Sequence, residues 1–288
     1  MNLVLQSLHQ DRAAATRIAK NMVQSIAPLA GSQLVDISAT AWRCEGVEYS
    51  DALKAAIDTA CHAAQFDYAF VPSDRTLSDF KLLAMDMDST LITIECIDEI
   101  ADMQGLKPQV AAITEAAMRG ELEFNDSLIA RVALLKGLDA SALQRVYEER
   151  LQLSPGAEIM LAAIQAAGIK TLLVSGGFTF FTDRIKTRLG IDYTHANVLE
   201  IVDGRLTGNV IGDIVNAEEK QNTVARVCAQ LGVTPKAAIV MGDGANDLKM
   251  MHIAGLSVAF RAKPLVRAQA SVALNFVGLD GILPILGC

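Results

Sequence analysis

The run Lys81-Leu82-Leu83-Ala84-Met85-Asp86-Met87-Asp88-Ser89-Thr90-Leu91 narrows the choice of fold more than any other stretch. A short apolar segment that ends in two carboxylates one residue apart, followed by Ser-Thr, reads as a buried strand delivering acids to a sheet edge. In parallel α/β sheets ligands lie beyond the carboxyl ends of strands. Asp86 and Asp88 are therefore expected at a crevice, anchored from below by Leu82, Leu83 and Met85. Alternation along an extended segment sends both acids to the same side. Two such carboxylates repel unless a divalent cation lies between them or one keeps a proton, and either is a functional state. For an isolated Asp-x-Asp, a strand end capped by Asp before an ordinary turn is the plainer reading. A calcium loop of the EF-hand type fails, because it wants Gly at its sixth position and Glu at its twelfth, where the chain has Leu91 and Ile97.

The totals remove several classes. A formal net charge of −8 argues against nucleic acid as partner, while a metal and one or two local cations still allow a small phosphorylated substrate. No apolar run approaches the ~20 residues of a membrane helix, so no membrane partner is expected. Met1 to Gln10 lacks a basic segment leading into a long apolar core, so no secretory signal is read. Five scattered cysteines without a C-x-x-C pair favour reduced thiols and a cytoplasmic setting over disulfides or zinc.

Along the chain, 1–74 reads as a small α+β unit. Strand Asn2 to Leu8, helix Asp11 to Ile26, a strand or hairpin over Gln33 to Glu48 turning near Glu45-Gly46, helix Asp51 to Ala64 and strand Phe66 to Val71 give β-α-β-(β)-α-β. That order resembles ACT-like modules. It equally suits a packing domain, and so a route to a homodimer. Pro72-Ser73-Asp74-Arg75 is the expected linker. Over 75–288 strands alternate with helices, which implies an α/β fold with a doubly wound, mostly parallel sheet. Four helices are inserted at about 95–152, straight after the acidic strand, and are expected to form a cap that excludes water.

Two more strand ends carry polar loops. Ser175-Gly176-Gly177 is expected to follow a buried strand, Ile169 to Val174, and to open a helix, a setting suited to phosphate; a tight turn is the plain alternative. Gly242-Asp243-Gly244-Ala245-Asn246-Asp247 offers short oxygen-bearing side chains for a hard cation such as Mg²⁺, or else a turn with an N-cap. Lys220 lies between these loops in chain order. His9, His62, His195 and His252 avoid all of them and form no H-x-x-x-H pair, which disfavours zinc hydrolysis and His-based acyl transfer.

The ordered set Asp86-Met87-Asp88-Ser89-Thr90-Leu91, Ser175-Gly176-Gly177, Lys220 and Gly242 to Asp247 resembles the haloacid dehalogenase superfamily, over about residues 81 to 285. More narrowly it is similar to the superfamily's phosphoserine phosphatases, through the cap and through Glu95, Phe124 and Arg131. The resemblance implies Asp86 as nucleophile, Asp88 as general acid and then base, and Mg²⁺ held by Asp86, the Asp88 carbonyl and Asp243, with Asp247 behind them. It implies Ser175, Gly176, Lys220 and Asn246 as phosphate and substrate contacts. Glu95 would take the substrate ammonium and Arg131 its carboxylate; Met118, Phe124 and Leu128 would shield the pocket or simply pack. The implied substrate is O-phospho-L-serine, hydrolysed in the last step of serine synthesis. Another small phosphomonoester such as phosphohomoserine, phosphotransfer to alcohols, and a serine-sensing protein with an idle centre are the other readings.

Overall fold

The computed structural model describes residues 1–288 except for the side chain of Met118, so the shielding part given to Met118 lies outside the described residues. The first strand, β1 (Asn2–Gln6), is followed by α1 (Arg12–Ser25), which Asp11 caps by accepting from the Ala14 amide. Next come β2 (Leu34–Asp36), β3 (Ala41–Cys44), α2 (Asp51–Ala64) and β4 (Asp67–Val71). The expected turn at Glu45-Gly46 is not the hairpin turn. The chain reverses at Ile37 to Thr40, where the Ile37 amide donates to the Ala41 carbonyl at 3.1 Å and the Thr40 amide to the Ser38 hydroxyl at 3.2 Å. Short hydroxyl side chains stabilise such a turn locally.

After the linker, β5 (Leu82–Met85) is buried at all four positions. The cap follows as α3 (Cys96–Asp102), α4 (Lys107–Met118), α5 (Phe124–Ala133) and α6 (Ser141–Glu149), close to the expected bounds. The α/β alternation then resumes with α7 (Ala157–Ala166), β6 (Lys170–Phe178) and α8 (Thr179–Leu189). The hairpin β7 (Tyr193–Val202) and β8 (Arg205–Ile211) turns at Asp203-Gly204, as expected. The remaining elements are α9 (Ala217–Gln230), β9 (Ala238–Gly242), α10 (Leu248–Ile253), β10 (Leu256–Phe260), α11 (Pro264–Gln269), β11 (Val272–Leu274) and α12 (Ile282–Ile285).

One eleven-stranded sheet runs β2-β3-β1-β4-β11-β10-β9-β5-β6-β7-β8. From β11 to β7 the neighbours are parallel. The N-terminal strands are antiparallel and join this core edge to edge through β4 and β11, so the leading unit shares a sheet with the rest. Asp67 holds the seam: its buried carboxylate accepts from the Asn275, Phe276 and Val277 amides at 2.7, 2.8 and 2.9 Å and from Asn275 Nδ2 at 3.2 Å.

Strand order fixes where chemistry sits. The chain leaves β5 for β6 on one side and reaches β9 on the other, so β5 stands at the reversal of winding, the place where open α/β sheets bind ligands. Met85 pairs with Met241 in β9 and with Leu173 in β6. β5 and β9 therefore finish side by side while β6 runs on beside them, and the polar segments at these three places share one crevice beneath the cap.

Candidate active site

β5 stops at Met85, and the two acids are not displayed by strand alternation as expected. Met87 to Leu91 form a single wide turn in which Ser89 takes a positive φ of 55°. The Asp86 amide still donates to the Met241 carbonyl at 3.0 Å, which locks the nucleophile candidate to the neighbouring strand. Asp86 Oδ1 receives the Met87 amide at 2.7 Å and Lys220 Nζ at 2.9 Å; no described donor occupies Oδ2. Asp88 turns elsewhere: its Oδ1 accepts from the Cys96 amide at 3.1 Å, and a Cβ on Gly177 would stand 2.6 Å from its Oδ2. Glycine at 177 therefore makes room for the Asp88 carboxylate.

Lys220 is fully buried, unlike the solvated charge its composition would suggest. Its Nζ lies 2.8 Å from Asp247 Oδ1 and 2.9 Å from Asp86 Oδ1. Burial alone would lower its pKa, and the carboxylates of Asp247 and Asp86 overcome this and raise it. Asp247 Oδ2 accepts from the Asp243 and Gly244 amides at 3.2 and 3.0 Å. Asp247 folds back so tightly that any side chain at Gly242 would collide with it. Asp243 Oδ1 accepts from the buried Thr90 hydroxyl at 3.1 Å, a contact with no sequence signal beyond Thr90 lying inside the acidic motif.

Carboxylate oxygens of Asp86, Asp243 and Asp247 all come within 4.8 Å of one another. Three carboxylates against one lysine leave −3 + 1 = −2, the charge a divalent cation cancels. The donors are hard oxygens, which suits Mg²⁺. Both Asp247 oxygens are already engaged, so Asp86 and Asp243 are the ligand candidates, with Asp247 in support. Burial, with Asp247 next, pushes Asp86 well above the usual carboxylate range; burial, with Glu95 next, brings Asp88 to about 7. Asp88 is thus able to hold or release a proton near neutrality.

Ser175, Gly176 and Gly177 lie inside β6, which continues past Val174 through a register shift to Phe178, so the helix opens later than expected. The buried Ser175 hydroxyl accepts from the Gly177 amide at 2.8 Å. Asn197, which sequence reasoning missed, holds this loop: its Nδ2 donates to the Gly176 carbonyl at 2.7 Å while its Oδ1 accepts from the Val215 amide at 2.9 Å. The Phe124 ring would stand 3.1 Å from a Cβ on Gly176, so the start of α5 reaches down to the second loop. Asn246 is half-buried beside Gly244.

On the cap side, Glu95 Oε1 accepts from the Ser89 hydroxyl at 2.6 Å. Glu95 is hemmed in by protein yet open to solvent, and this crowding raises its pKa. Half-buried Arg131, on α5, lies among the carboxylates of Asp98, Glu95 and Asp88, and its Nε donates to the Ser127 carbonyl at 3.3 Å. Leu128 is core, packed with the cap.

A family model described as haloacid dehalogenase-like hydrolase matches residues 80–255. A curated phosphoserine phosphatase from Polaromonas sp. is 60% identical over 74% of this chain and 92% of its own length. The chain is a haloacid dehalogenase-like hydrolase of the phosphoserine phosphatase family. The crystal structure of a family hydrolase from Salmonella enterica serovar Typhi superposes with a TM-score of 0.86 at 33% identity, covering 98% of both chains. An unliganded probable phosphoserine phosphatase from Vibrio cholerae gives 0.83 at 37% identity, over 99% of this chain and 85% of that one. No helix of the described residues is long and apolar enough to cross a membrane.

Proposed function

We propose that the chain is a Mg²⁺-dependent phosphatase that hydrolyses O-phospho-L-serine to L-serine and phosphate in the cytoplasm, closing serine synthesis. The observation that carries this is the state of Asp86: one oxygen clamped by an amide and a buried lysine, the other free at the crevice. Such a carboxylate is an oriented nucleophile. Asp86 Oδ2 attacks phosphorus, the bond from phosphorus to the seryl oxygen breaks, and protonated Asp88 gives that oxygen its proton. Asp88, now a carboxylate, takes a proton from water as the water attacks the aspartyl phosphate, releasing phosphate and restoring Asp86. Lys220 and Ser175 are the groups assigned to the other phosphoryl oxygens. When bound, Mg²⁺ would be held by Asp86, Asp243 and the Asp88 carbonyl and would supply the charge neutralisation that lets a carboxylate approach a phosphate dianion.

Glu95 and Arg131 supply opposite charges on the cap face, matching the ammonium and carboxylate of an amino acid rather than those of a plain ester. The identity with phosphoserine phosphatases supports this assignment. Phosphate release from O-phospho-L-serine, phosphohomoserine and an aryl phosphate, each with Mg²⁺ or chelator, tests the reading. Phosphoserine is expected to lead, with no turnover in chelator. Asp86→Asn is expected to abolish turnover and acid-stable labelling by [³²P]phosphoserine; a labelled or active variant would defeat the mechanism.

A further inference from the structure

Arg131 alone is a poor receptor for the substrate carboxylate. The carboxylates of Asp98 and Glu95, and that of Asp88 when ionised, already act on it, so an arriving anion meets a guanidinium that faces acidic groups. Across the crevice a second cation is available. Lys263 precedes α11, and its amide donates to the carbonyl of the metal-ligand candidate Asp243 at 3.3 Å. A ring of short contacts ties this backbone to the recognition group: Asp243 Oδ1 to the Thr90 hydroxyl at 3.1 Å, then from adjacent Ser89 to Glu95 at 2.6 Å. The Lys263 side chain is exposed and has no hydrogen-bond or ion-pair partner among the described residues. Its charge and that of Arg131 both act on the Glu95 carboxylate.

In the free protein the Glu95 carboxylate feels one cation on the cap and one on the core, without a direct ion pair to either. An amino-acid substrate exchanges these charges one for one: its ammonium takes Glu95, and its carboxylate replaces Glu95 before the two cations. We propose that Lys263 is a specificity-determining residue whose ammonium, with Arg131, forms the receptor for the α-carboxylate, drawing cap and core together over the substrate. This rests on the phosphoserine reading. A lysine fits the task, since a flexible stem from the rim reaches a carboxylate without fixed fork geometry.

The test compares O-phospho-L-serine with phosphoethanolamine, which has the ammonium and phosphate but lacks the carboxylate, using wild type, Lys263→Met and Lys263→Arg. For Lys263→Met, KM for phosphoserine is expected to rise roughly tenfold, as for loss of one charged hydrogen bond, with kcat and all phosphoethanolamine parameters little changed. Lys263→Arg restores most of the loss. Equal losses on both substrates, or an unchanged phosphoserine KM, would overturn the assignment, and Lys263→Gln repeats the comparison should Lys263→Met fail to fold. A wild type that does not prefer phosphoserine to phosphoethanolamine would instead refute the substrate reading itself.

Discussion

Lys220→Met keeps the length of the stem and removes its charge. With all three carboxylates ionised the cluster carries −2 in the wild type and −3 in the variant, and the contacts of 2.9 Å to Asp86 and 2.8 Å to Asp247 vanish. Removing one partner of a buried ion pair costs about 3–5 kcal/mol. The lower end applies, because Asp247 retains two amide donors and Asp86 one. At roughly 2 °C per kcal/mol for a chain of this size, the variant in chelator at pH 8 should melt about 6 °C below wild type. The gap should narrow toward pH 5, where the carboxylates take up protons and the repulsion fades. Mg²⁺ should then stabilise the variant more than the wild type, since the competing ammonium is gone, even though turnover is lost. Thermal melts at both pH values, with chelator and across a Mg²⁺ titration, measure each part. A melting point within about 1 °C of wild type in chelator at pH 8, or weaker stabilisation by Mg²⁺, would refute the reasoning.

Other outcomes follow from the same geometry. The Asp88 carboxyl, raised to about 7 by burial and then Glu95, holds a proton when folded and releases it earlier when unfolded. Its contribution to stability therefore declines as pH rises from the ordinary carboxylate range to about 7; metal-free protein should lose melting temperature over that interval, and added Mg²⁺ should recover more at its upper end. Arg131→Ala should cut kcat/KM on phosphoserine roughly a hundredfold, two charged hydrogen bonds' worth, and leave aryl phosphate turnover nearly intact; parallel losses would remove Arg131 from recognition. Asp67→Ala strands three backbone amides and should lower stability by about 3–5 kcal/mol in urea unfolding, whereas Asp67→Asn, keeping one acceptor, should lose about half. An unchanged urea midpoint for Asp67→Ala would show that water satisfies those amides.

The crevice was legible because each loop follows a short apolar run, and sheet geometry sends such ends to one side. Periodicity located the four cap helices to within one to three residues at each end, the largest miss being the end of α5, expected at Lys136 and found at Ala133. Hydroxyl turns such as Ser38 to Thr40 are weaker signals than Glu-Gly, so the first hairpin was misplaced. The wide turn at Met87 to Leu91 depends on Ser89 adopting positive φ, which no local propensity announces. Lys220 was found by resemblance, since the burial that gives it force arises only when α9 packs beside β9 and β5. Asn197 and Lys263 are set by contacts between segments far apart in the chain, and pattern alone has no access to these. Fusion of the leading unit to the main sheet was hidden for the same reason: β4 and β11 meet at a single bridged pair, Tyr68 with Ala273.

That seam has a consequence for biogenesis. Asp67 finds its partners 208 to 210 residues downstream. At ribosomal speed this is a wait of roughly 10–40 s, during which β4 presents an unpaired rim to the crowded cell. The nascent leading unit must survive that interval with its flank bare, so variants that loosen it are expected to show their harm first as aggregation during synthesis rather than as a weaker mature enzyme.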